Sequence, residues 1–403
     1  MRRNPALLAR LARAALVPVL AAATVLTVAA PAHAATLTQV TGFGSNPGNL
    51  TMYAYRPDGL GSGAPAVVLL HGCAQNANGY FSNSGWRKYA DQWGFALIVP
   101  EQKTANNSTS CFNWFETGDT SRGQGEALSI RQMVDHARGN FGVAADRVYV
   151  SGLSGGGAMA AAMLATYPDT FAGGSVVAGI PYRCATTMVN AFSCMNPGVN
   201  RTPAQWGDLV RNAYPGYTGA RPRVAIWHGT ADYTVATANA DESRDQWTNV
   251  LGVSATPTGT TSLPGGTTLQ TYGADQVRVY RVAGMGHGTP VDPGSGADQC
   301  GSTAAYFLDT ICSAYRDALF FGLDSGGTPG DPGDPGDPGD PGDPGEDPVC
   351  VTASNYAHVQ AGRAYQSLGY AYAAGSGQLM GLYNIFLTTE LRQTAPGNWV
   401  IGC

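Results

Sequence analysis

The chain has 403 residues, 44% of them hydrophobic and 13% charged, with a formal net charge of −5. That much apolar side chain excludes global disorder, and the length allows one large domain and a small one. Lysine occurs only at Lys88 and Lys103, so there is no basic patch and nucleic acid is not an expected partner.

Residues 1–34 read as an export signal rather than as part of a fold. Arg2, Arg3, Arg10 and Arg13 form a basic head, Ala14 to Ala30 is an apolar run, and Ala32-His33-Ala34 is an A-x-A cleavage pattern. A membrane anchor is the competing reading. The run is short, alanine-rich and ends at a cleavage pattern, which favours removal. No other stretch is long and apolar enough to span a bilayer, so no membrane contact is expected. Cleavage would make Ala35 the first residue and change the charge to 19 − 28 = −9.

From there the chain reads as alternating strands and helices. Thr36 to Thr41 and Leu50 to Tyr55 have strand character. Ala66-Val-Val-Leu-Leu70 is apolar without alternation, as in a central strand buried on both faces, and ends at His71-Gly72-Cys73. Trp86 to Trp93 reads as a helix and Phe95 to Pro100 as a buried strand. Glu126 to Arg138 carries Ala127, Ile130, Met133, Val134 and Ala137 on one helical face. Val148-Tyr-Val150 is a strand, followed by the turn Gly152-Leu-Ser154-Gly-Gly156 and a helix from Ala158 that runs to Pro168.

Further along, Gly174 to Ile180 is a strand and residues 182–221 read as irregular. Arg223 to Gly229 is a strand, Asp241 to Leu251 a helix, Gln276 to Val282 a strand, and Ser302 to Phe321 a helix. This alternation predicts an α/β fold with a mostly parallel sheet covered by helices on both faces. Residues 35–324 are therefore expected to form one domain.

Residues 325–348 change character, with Gly330-Asp-Pro repeated as a triplet. Seven acids between Asp331 and Asp347 and no base leave the rest of the processed chain near −2. Proline stiffness and like-charge repulsion predict an extended spacer. A collagen helix is the other reading of glycine at every third position, but the triplets are few and proline occupies one site only. Residues 349–403 form a second, small module, rich in tyrosine and poor in charge.

The eight cysteines, Cys73, Cys111, Cys184, Cys194, Cys300, Cys312, Cys350 and Cys403, are even in number and follow an export signal, which predicts disulfides. Sequence does not determine their pairing. Local closeness suggests Cys184 with Cys194 and Cys300 with Cys312. Cys350 and Cys403 bracket the last module, and Cys73 and Cys111 are left over. Without C-x-x-C or H-E-x-x-H, no metal site is expected.

The chemistry centres on Ser154. A serine forced to the apex of a strand–helix turn needs glycine on both sides, because Cβ atoms at Gly152 and Gly156 would clash as the elements close. Ser154 then stands exposed at a helix N-terminus, where the dipole favours developing negative charge. A serine nucleophile needs a histidine base and a carboxylate that orients it. Asp232 and His287 each follow a strand and complete the order Ser, Asp, His.

Rival residues fit less well. His71 and His228 sit in His-Gly turns and read as structural. His136 lies within a helix and His358 in the last module. Asp275 precedes its strand, and Asp292 comes after His287. The oxyanion would be held by backbone N–H groups of Gly155 and, from the loop after the early strand, Cys73. A bridge at Cys73 would also hold that loop.

Four stretches, Leu70-His-Gly-Cys73, Gly152-Leu-Ser-Gly-Gly-Gly-Ala-Met159, Trp227-His-Gly-Thr-Ala-Asp-Tyr-Thr-Val235 and Gly284-Met-Gly-His-Gly-Thr-Pro-Val291, resemble extracellular poly(3-hydroxybutyrate) depolymerases. These belong to an esterase family shared with feruloyl and acetylxylan esterases. The resemblance covers residues 36–323. Gly155 stands where many relatives have Ala, and the charged triplet spacer replaces their fibronectin-like or Thr-rich linker. Thr352 to Ala364 and Met380 to Phe386 resemble the polyester-binding module of the same enzymes.

The resemblance implies an α/β-hydrolase fold and a secreted, monomeric serine esterase that needs no cofactor and acts at an insoluble polyester surface. Candidate contacts with the polymer are Tyr356, Tyr365, Tyr383 and Phe386. The alternative is a feruloyl or acetylxylan esterase of plant cell walls, in which the tail aromatics would stack on sugars.

Overall fold

A computed structural model describes residues 35–324 and 350–402, except 368, 385–386 and 396–397. The signal segment and the whole of the spacer therefore lie outside the described residues. Two compact units result, one on each side of the spacer.

The first unit runs β1 (Thr38–Val40), β2 (Thr51–Tyr55), β3 (Ala64–Leu70), α1 (Ala77–Asn83), α2 (Trp86–Trp93), β4 (Ala96–Glu101), α3 (Gly125–Phe141), β5 (Val143–Leu153), α4 (Gly155–Thr166) and β6 (Gly173–Val177). It continues through α5 (Met188–Met195), α6 (Pro203–Arg211), β7 (Arg223–Gly229), α7 (Ala238–Leu251), β8 (Gly259–Leu263), β9 (Thr267–Tyr272), β10 (Val277–Val282), β11 (Thr289–Val291), β12 (Phe307–Asp309) and α8 (Ser313–Phe320). Ten strands form one sheet in the order β1-β2-β4-β3-β5-β6-β7-β10-β9-β8. The centre, β4-β3-β5-β6-β7-β10, is parallel throughout. The β1-β2 and β9-β8 margins run antiparallel.

Strand periodicity divides the core into two layers. Ala66, Val68 and Leu70 of β3, with Val148 and Val150 of β5, join a cluster with α3, α4 and α7 residues such as Ile130, Met159 and Trp247. Val67, Leu69 and Tyr149 point the other way and pack with Tyr80, Trp86, Tyr89 and Phe320 from α1, α2 and α8. Every residue of β3 is buried, as an unbroken apolar run requires when helices cover both faces. This is the α/β-hydrolase arrangement.

Three expectations are corrected. Residues 182–221, read as irregular, contain α5 and α6. Thr187 caps α5 by accepting from Asn190 N. Thr202 and Gln205 form a capping box on α6, with Pro203 in its first turn. Each helix is short, eight and nine residues, and begins at a capping threonine.

Second, the helix expected over residues 302–321 begins only at Ser313. Phe307 to Asp309 instead pair with Thr289 to Val291 as strands, and the Cys300–Cys312 disulfide closes the intervening loop. Tertiary pairing overrides the local pattern there. Third, residues 259–272, for which no element is expected, form the β8–β9 hairpin. It turns through Gly265 (φ 65°) and Gly266 (φ 64°), where left-handed backbone is needed for a tight turn.

Cys73–Cys111 and Cys184–Cys194 are also bridged. Cys350 is disulfide-bonded, while Cys403 lies outside the described residues. No described cysteine is free.

The second unit holds β13 (Cys350–Ser354), α9 (Asn355–Gln360), β14 (Ala364–Ser367), β15 (Tyr370–Ala373), β16 (Leu379–Leu382), β17 (Thr388–Ala395) and β18 (Asn398–Ile401). They form two three-stranded sheets, β13-β17-β18 and β14-β15-β16. Its apolar core is small, centred on Ala373, Leu391 and Trp399. Buried polar groups connect the pieces. Asn355 Nδ2 donates to Met380 O and Leu382 O, both at 3.0 Å. His358 Nε2 contacts Thr389 O at 2.8 Å, and Arg363 Nε donates to His358 Nδ1 at 3.1 Å. A unit this size has little apolar surface to bury, so satisfied polar contacts and a disulfide carry more of its stability.

Below the main sheet, Trp227 Nε1 donates to Asp317 Oδ1 at 2.8 Å, and the Trp227 and Tyr280 rings stack on neighbouring strands at 3.7 Å. Burial pushes the Asp317 carboxyl up to about 7. Its folded value is raised, so the stability it contributes is complete below the unfolded value near 4 and is lost as pH rises toward 7. Asp317→Asn keeps an acceptor for Trp227 and cannot ionise. Urea denaturation between pH 4 and 8 should show a smaller decline with pH for Asp317→Asn than for the parent.

Candidate active site

Parallel strands present all their C-terminal ends at one edge of the sheet. Ser154 follows β5, Asp232 follows β7 and His287 follows β10, so the topology brings the three expected residues to that same edge. Ser154 has φ 55° and ψ −115°, a conformation that costs a non-glycine residue roughly 1–3 kcal/mol and persists only where the surroundings impose it. Here the surroundings are backbone. Ser154 N donates to Val177 O at 2.9 Å. A Cβ placed on Gly156 would stand 2.3 Å from Leu70 O and 2.5 Å from His71 O. The first turn of α4 thus rests directly on the end of β3.

His287 Nδ1 lies 2.7 Å from Asp232 Oδ2. The other oxygen, Oδ1, accepts from Thr234 N and Val235 N, both at 2.9 Å. The Asp232 side chain is fully buried, and that of His287 is 9% exposed. Burial alone would raise the Asp232 carboxyl. The His287 hydrogen bond and charge, the Val235 N–H and His228 outweigh it and hold Asp232 below its ordinary value. The two loops are laced together: Ala231 N donates to Met285 O at 3.0 Å and Thr230 N to Val282 O at 2.9 Å. At Gly229 an added Cβ would meet Met285 O at 2.2 Å.

Gly155 and Cys73, the expected oxyanion donors, are adjacent. A Cβ on Gly155 would lie 3.0 Å from Cys73 Sγ, and one on Gly72 would lie 3.3 Å from Leu153 Cδ2. The loop after β3 therefore passes alongside residues on both sides of Ser154. Cys73–Cys111 anchors it, and Ala74 N donates to Thr109 O at 2.7 Å.

The two His-Gly histidines are fully buried and bonded to main chain. His228 Nε2 contacts Val235 O at 2.9 Å and lies 3.5 Å from Asp232 Oδ2. It pins the loop that carries the carboxylate, and burial lowers its pKa. His71 bonds to Gly72 O and Gln102 N. His136 is on α3, and His358 is in the second unit. Asp275 pairs with Arg278 at 2.5 Å, and Asp292 accepts from Gln299 Nε2 at 3.2 Å. Among the described residues, no group of three or more His, Cys, Asp or Glu could hold a metal, and no helix is long and apolar enough to cross a membrane.

Sequence reasoning missed the apolar residues flanking the site. The Tyr306 ring lies 6.1 Å from that of His287, edge-on, and Tyr233, 85% exposed, follows Asp232 directly. Helix α5, with Met188, Val189 and Phe192 exposed, is tied to the Asp232 loop. Ala236 N donates to Met195 O at 2.8 Å and Asn196 Nδ2 to Tyr233 O at 2.9 Å. The helix lies inside the segment read as irregular.

In the second unit, Tyr365 and Tyr356 are 49% and 42% exposed. The Tyr356 ring lies 5.4 Å from that of Tyr383, and Phe386 lies outside the described residues.

The glycine contacts make a sharp contrast. Gly156→Ala drives a methyl into carbonyl oxygens that cannot move without shifting β3. It should lower stability by about 3 kcal/mol or more, or prevent folding. At Gly155 an added methyl meets mainly side-chain atoms, the nearest being Cys73 Sγ. Thermal unfolding should place Gly155→Ala within a few degrees of the parent and Gly156→Ala far below it.

Comparison with known proteins places the chain in a family. Residues 50–266 match the family model described as Esterase PHB depolymerase. Poly(3-hydroxyalkanoate) depolymerase C of Paucimonas lemoignei is 52% identical over 292 residues, 71% of this chain and 70% of that protein. Feruloyl esterase B of Talaromyces funiculosus is 36% identical, covering 67% of this chain and 78% of that protein. Acetylxylan esterase of Coprinopsis cinerea is 40% identical, with 63% and 69% covered. Among solved structures, acetyl xylan esterase from Aspergillus awamori superposes with a TM-score of 0.61 at 29% identity, covering 72% of this chain and 99% of that one. The chain therefore belongs to the esterase PHB depolymerase family and is an ester hydrolase.

Proposed function

We propose that the protein is a secreted serine esterase that hydrolyses the ester bonds of insoluble poly(3-hydroxybutyrate), releasing hydroxybutyrate monomers or short oligomers. Ser154 Oγ attacks the ester carbonyl carbon, and His287 takes its proton. Asp232 holds the Nδ1–H tautomer and stabilises the imidazolium that forms. The N–H groups of Gly155 and Cys73 receive the charge that develops on the carbonyl oxygen. The proton passes from His287 to the leaving hydroxyl, and a water activated by the same histidine then frees the acyl group from Ser154. An export signal at residues 1–34 and a set of disulfides support an extracellular location.

The observation that carries the choice of substrate is one face of β14-β15-β16. Tyr365 pairs with Tyr372 and Tyr372 with Leu379; Ser367 pairs with Tyr370 and Tyr370 with Leu382. Directly paired residues share a face, so these six side chains form two uncharged rows. The Tyr365 and Tyr372 rings stack at 5.5 Å, and Tyr365, Tyr370, Leu379 and Leu382 are all exposed. Ala364, Ala371 and Ala373 face the interior. An apolar face with tyrosine hydroxyls suits a solid polyester, offering area to bury and donors for ester carbonyls. Joined through the Gly-Asp-Pro segment of residues 325–348, it would keep the catalytic unit at the surface of a polymer that cannot diffuse. Tyr356, Tyr383 and Phe386 remain candidate contacts from the sequence, with Phe386 outside the described residues.

The likeness of the first unit to an acetyl xylan esterase supports a second reading, in which the chain acts on cell-wall polysaccharide and the tyrosines stack on sugars.

Two measurements test this. Ser154→Ala and His287→Ala should each abolish turnover of soluble p-nitrophenyl esters while circular dichroism stays unchanged; turnover near the parent rate would refute the assignment. Truncation after Asp324 should preserve activity on soluble esters and remove most activity on poly(3-hydroxybutyrate) granules. The same loss should follow from replacing Tyr365, Tyr370 and Tyr372 by Ser in the full chain. If the full chain sediments with xylan or cellulose and ignores granules, the cell-wall reading replaces the depolymerase.

A further inference from the structure

His71 read as a turn residue, and its surroundings give it a more specific task. It is fully buried and packs at 4.9 Å against the Phe112 ring. Its Nε2 receives the backbone N–H of Gln102 at 3.1 Å. A peptide N–H can only donate, so Nε2 is the acceptor, and in a neutral ring the proton must sit on Nδ1. That Nδ1 lies 2.8 Å from Gly72 O and therefore donates to it. Burial lowers the His71 pKa to about 4, which keeps the ring in this neutral form at neutral pH.

Gly72 O is held a second time, by Gln75 N at 3.2 Å, while Gly72 N donates to Gln75 Oε1 at 2.8 Å. The Gln102 side that sets the tautomer is itself fixed. Gln102 Nε2 donates to the buried carboxylate Glu126, whose other oxygen accepts from Asn113 N at 2.9 Å. Asn106 Nδ2 and Lys103 N both donate to Gln102 Oε1, at 2.7 and 3.0 Å.

The carbonyl of Gly72 and the N–H of Cys73 belong to one peptide unit. A trans peptide is planar with C=O and N–H pointing opposite ways, and the only cis peptide among the described residues is Asn196-Pro197. Fixing Gly72 O toward the His71 ring and Gln75 therefore fixes the Cys73 N–H away from them.

We infer that His71 is a positioning residue for ester hydrolysis: through Nδ1–H and Gly72 O it sets the plane of the Gly72–Cys73 peptide, and so aims the Cys73 N–H at the oxyanion. The inference rests on the reading of Cys73 N–H as an oxyanion donor.

Two variants separate this role from a merely structural one. His71→Asn places an amide N–H near the position of Nδ1 and loses the distal acceptor. His71→Gln reaches the distal position and has no donor at the proximal one. Steady-state kinetics on a soluble p-nitrophenyl ester should show His71→Asn within a few fold of the parent. His71→Gln should lose about 10²-fold in kcat, with KM nearly unchanged, because a misaimed oxyanion donor affects only the transition state.

The inference is overturned if His71→Gln, folded by circular dichroism, retains the parent kcat. It is equally overturned if His71→Asn, folded, loses as much as His71→Gln is expected to lose. If His71→Gln fails to fold, the His71→Asn result decides alone. A crystal structure of the parent with Ser154 phosphonylated checks the underlying reading separately. A phosphonyl oxygen within hydrogen-bond distance of Cys73 N upholds the oxyanion donor whatever the variants do, and its absence there removes the donor and with it the inference.

Discussion

The direct contact of backbone on backbone at the C-terminal edge of the sheet is the constraint on which the rest of the molecule depends. The first turn of α4 sits on the carbonyls that end β3, and the loop after β7 sits on the loop after β10, each through a glycine that leaves no room for a methyl group. Side chains hop between rotamers, but main-chain carbonyls anchored in a parallel sheet do not. Elements that touch in this way cannot slide past one another without disturbing strands that are buried on both faces. The strained backbone of Ser154 and the short contact between His287 and Asp232 follow from that rigidity. The elements that hold them are fixed by the same strand ends.

Three buried carboxylates show how the environment divides one functional group among tasks. Asp232 is as inaccessible as the others, yet two backbone N–H groups and the His287 ring keep it ionised. Glu126 has one backbone and one amide donor and lies near the charge of Asp119; burial, with that neighbour, pushes it up to about 8. Asp317, under Trp227, is also raised by burial. Burial raises all three, and only at Asp232 do the His287 ring and the backbone N–H groups outweigh it. The Asp232 charge is thus held where an imidazolium would form.

The second unit solves a different physical problem. It has too little apolar volume for a large core, so Asn355 and His358 bridge helix and strands through polar contacts that are fully satisfied. Alanines occupy the inner face of β14-β15-β16, which frees the bulky tyrosines and leucines of the alternate positions for the outer one. A solvent-facing sheet would ordinarily carry polar residues there. The inversion is what the proposed polyester-binding role would require of this face.

By itself the sequence determined the α/β character, the order of the main strands and the candidates Ser154, Asp232 and His287. Buried parallel strands are unbroken apolar runs, and a residue placed just past each run lies at a predictable edge. It also marked Gly152 and Gly156, because a tight strand–helix turn leaves a local glycine signature. The tertiary structure decided the rest. Helices such as α5 and α6 span only two turns or so, too short for a pattern to stand out, and β12 exists because β11 is there to pair with it. The apolar flank of Tyr233, Tyr306 and α5 is assembled from three separate segments. Nor could the chain order show what His71 does, since its tautomer is set by Gln102, a residue on a different strand connection, and its effect is exerted on a peptide plane. Local pattern encodes what each segment buries; which donor meets which acceptor across segments is settled only when the sheet brings them together.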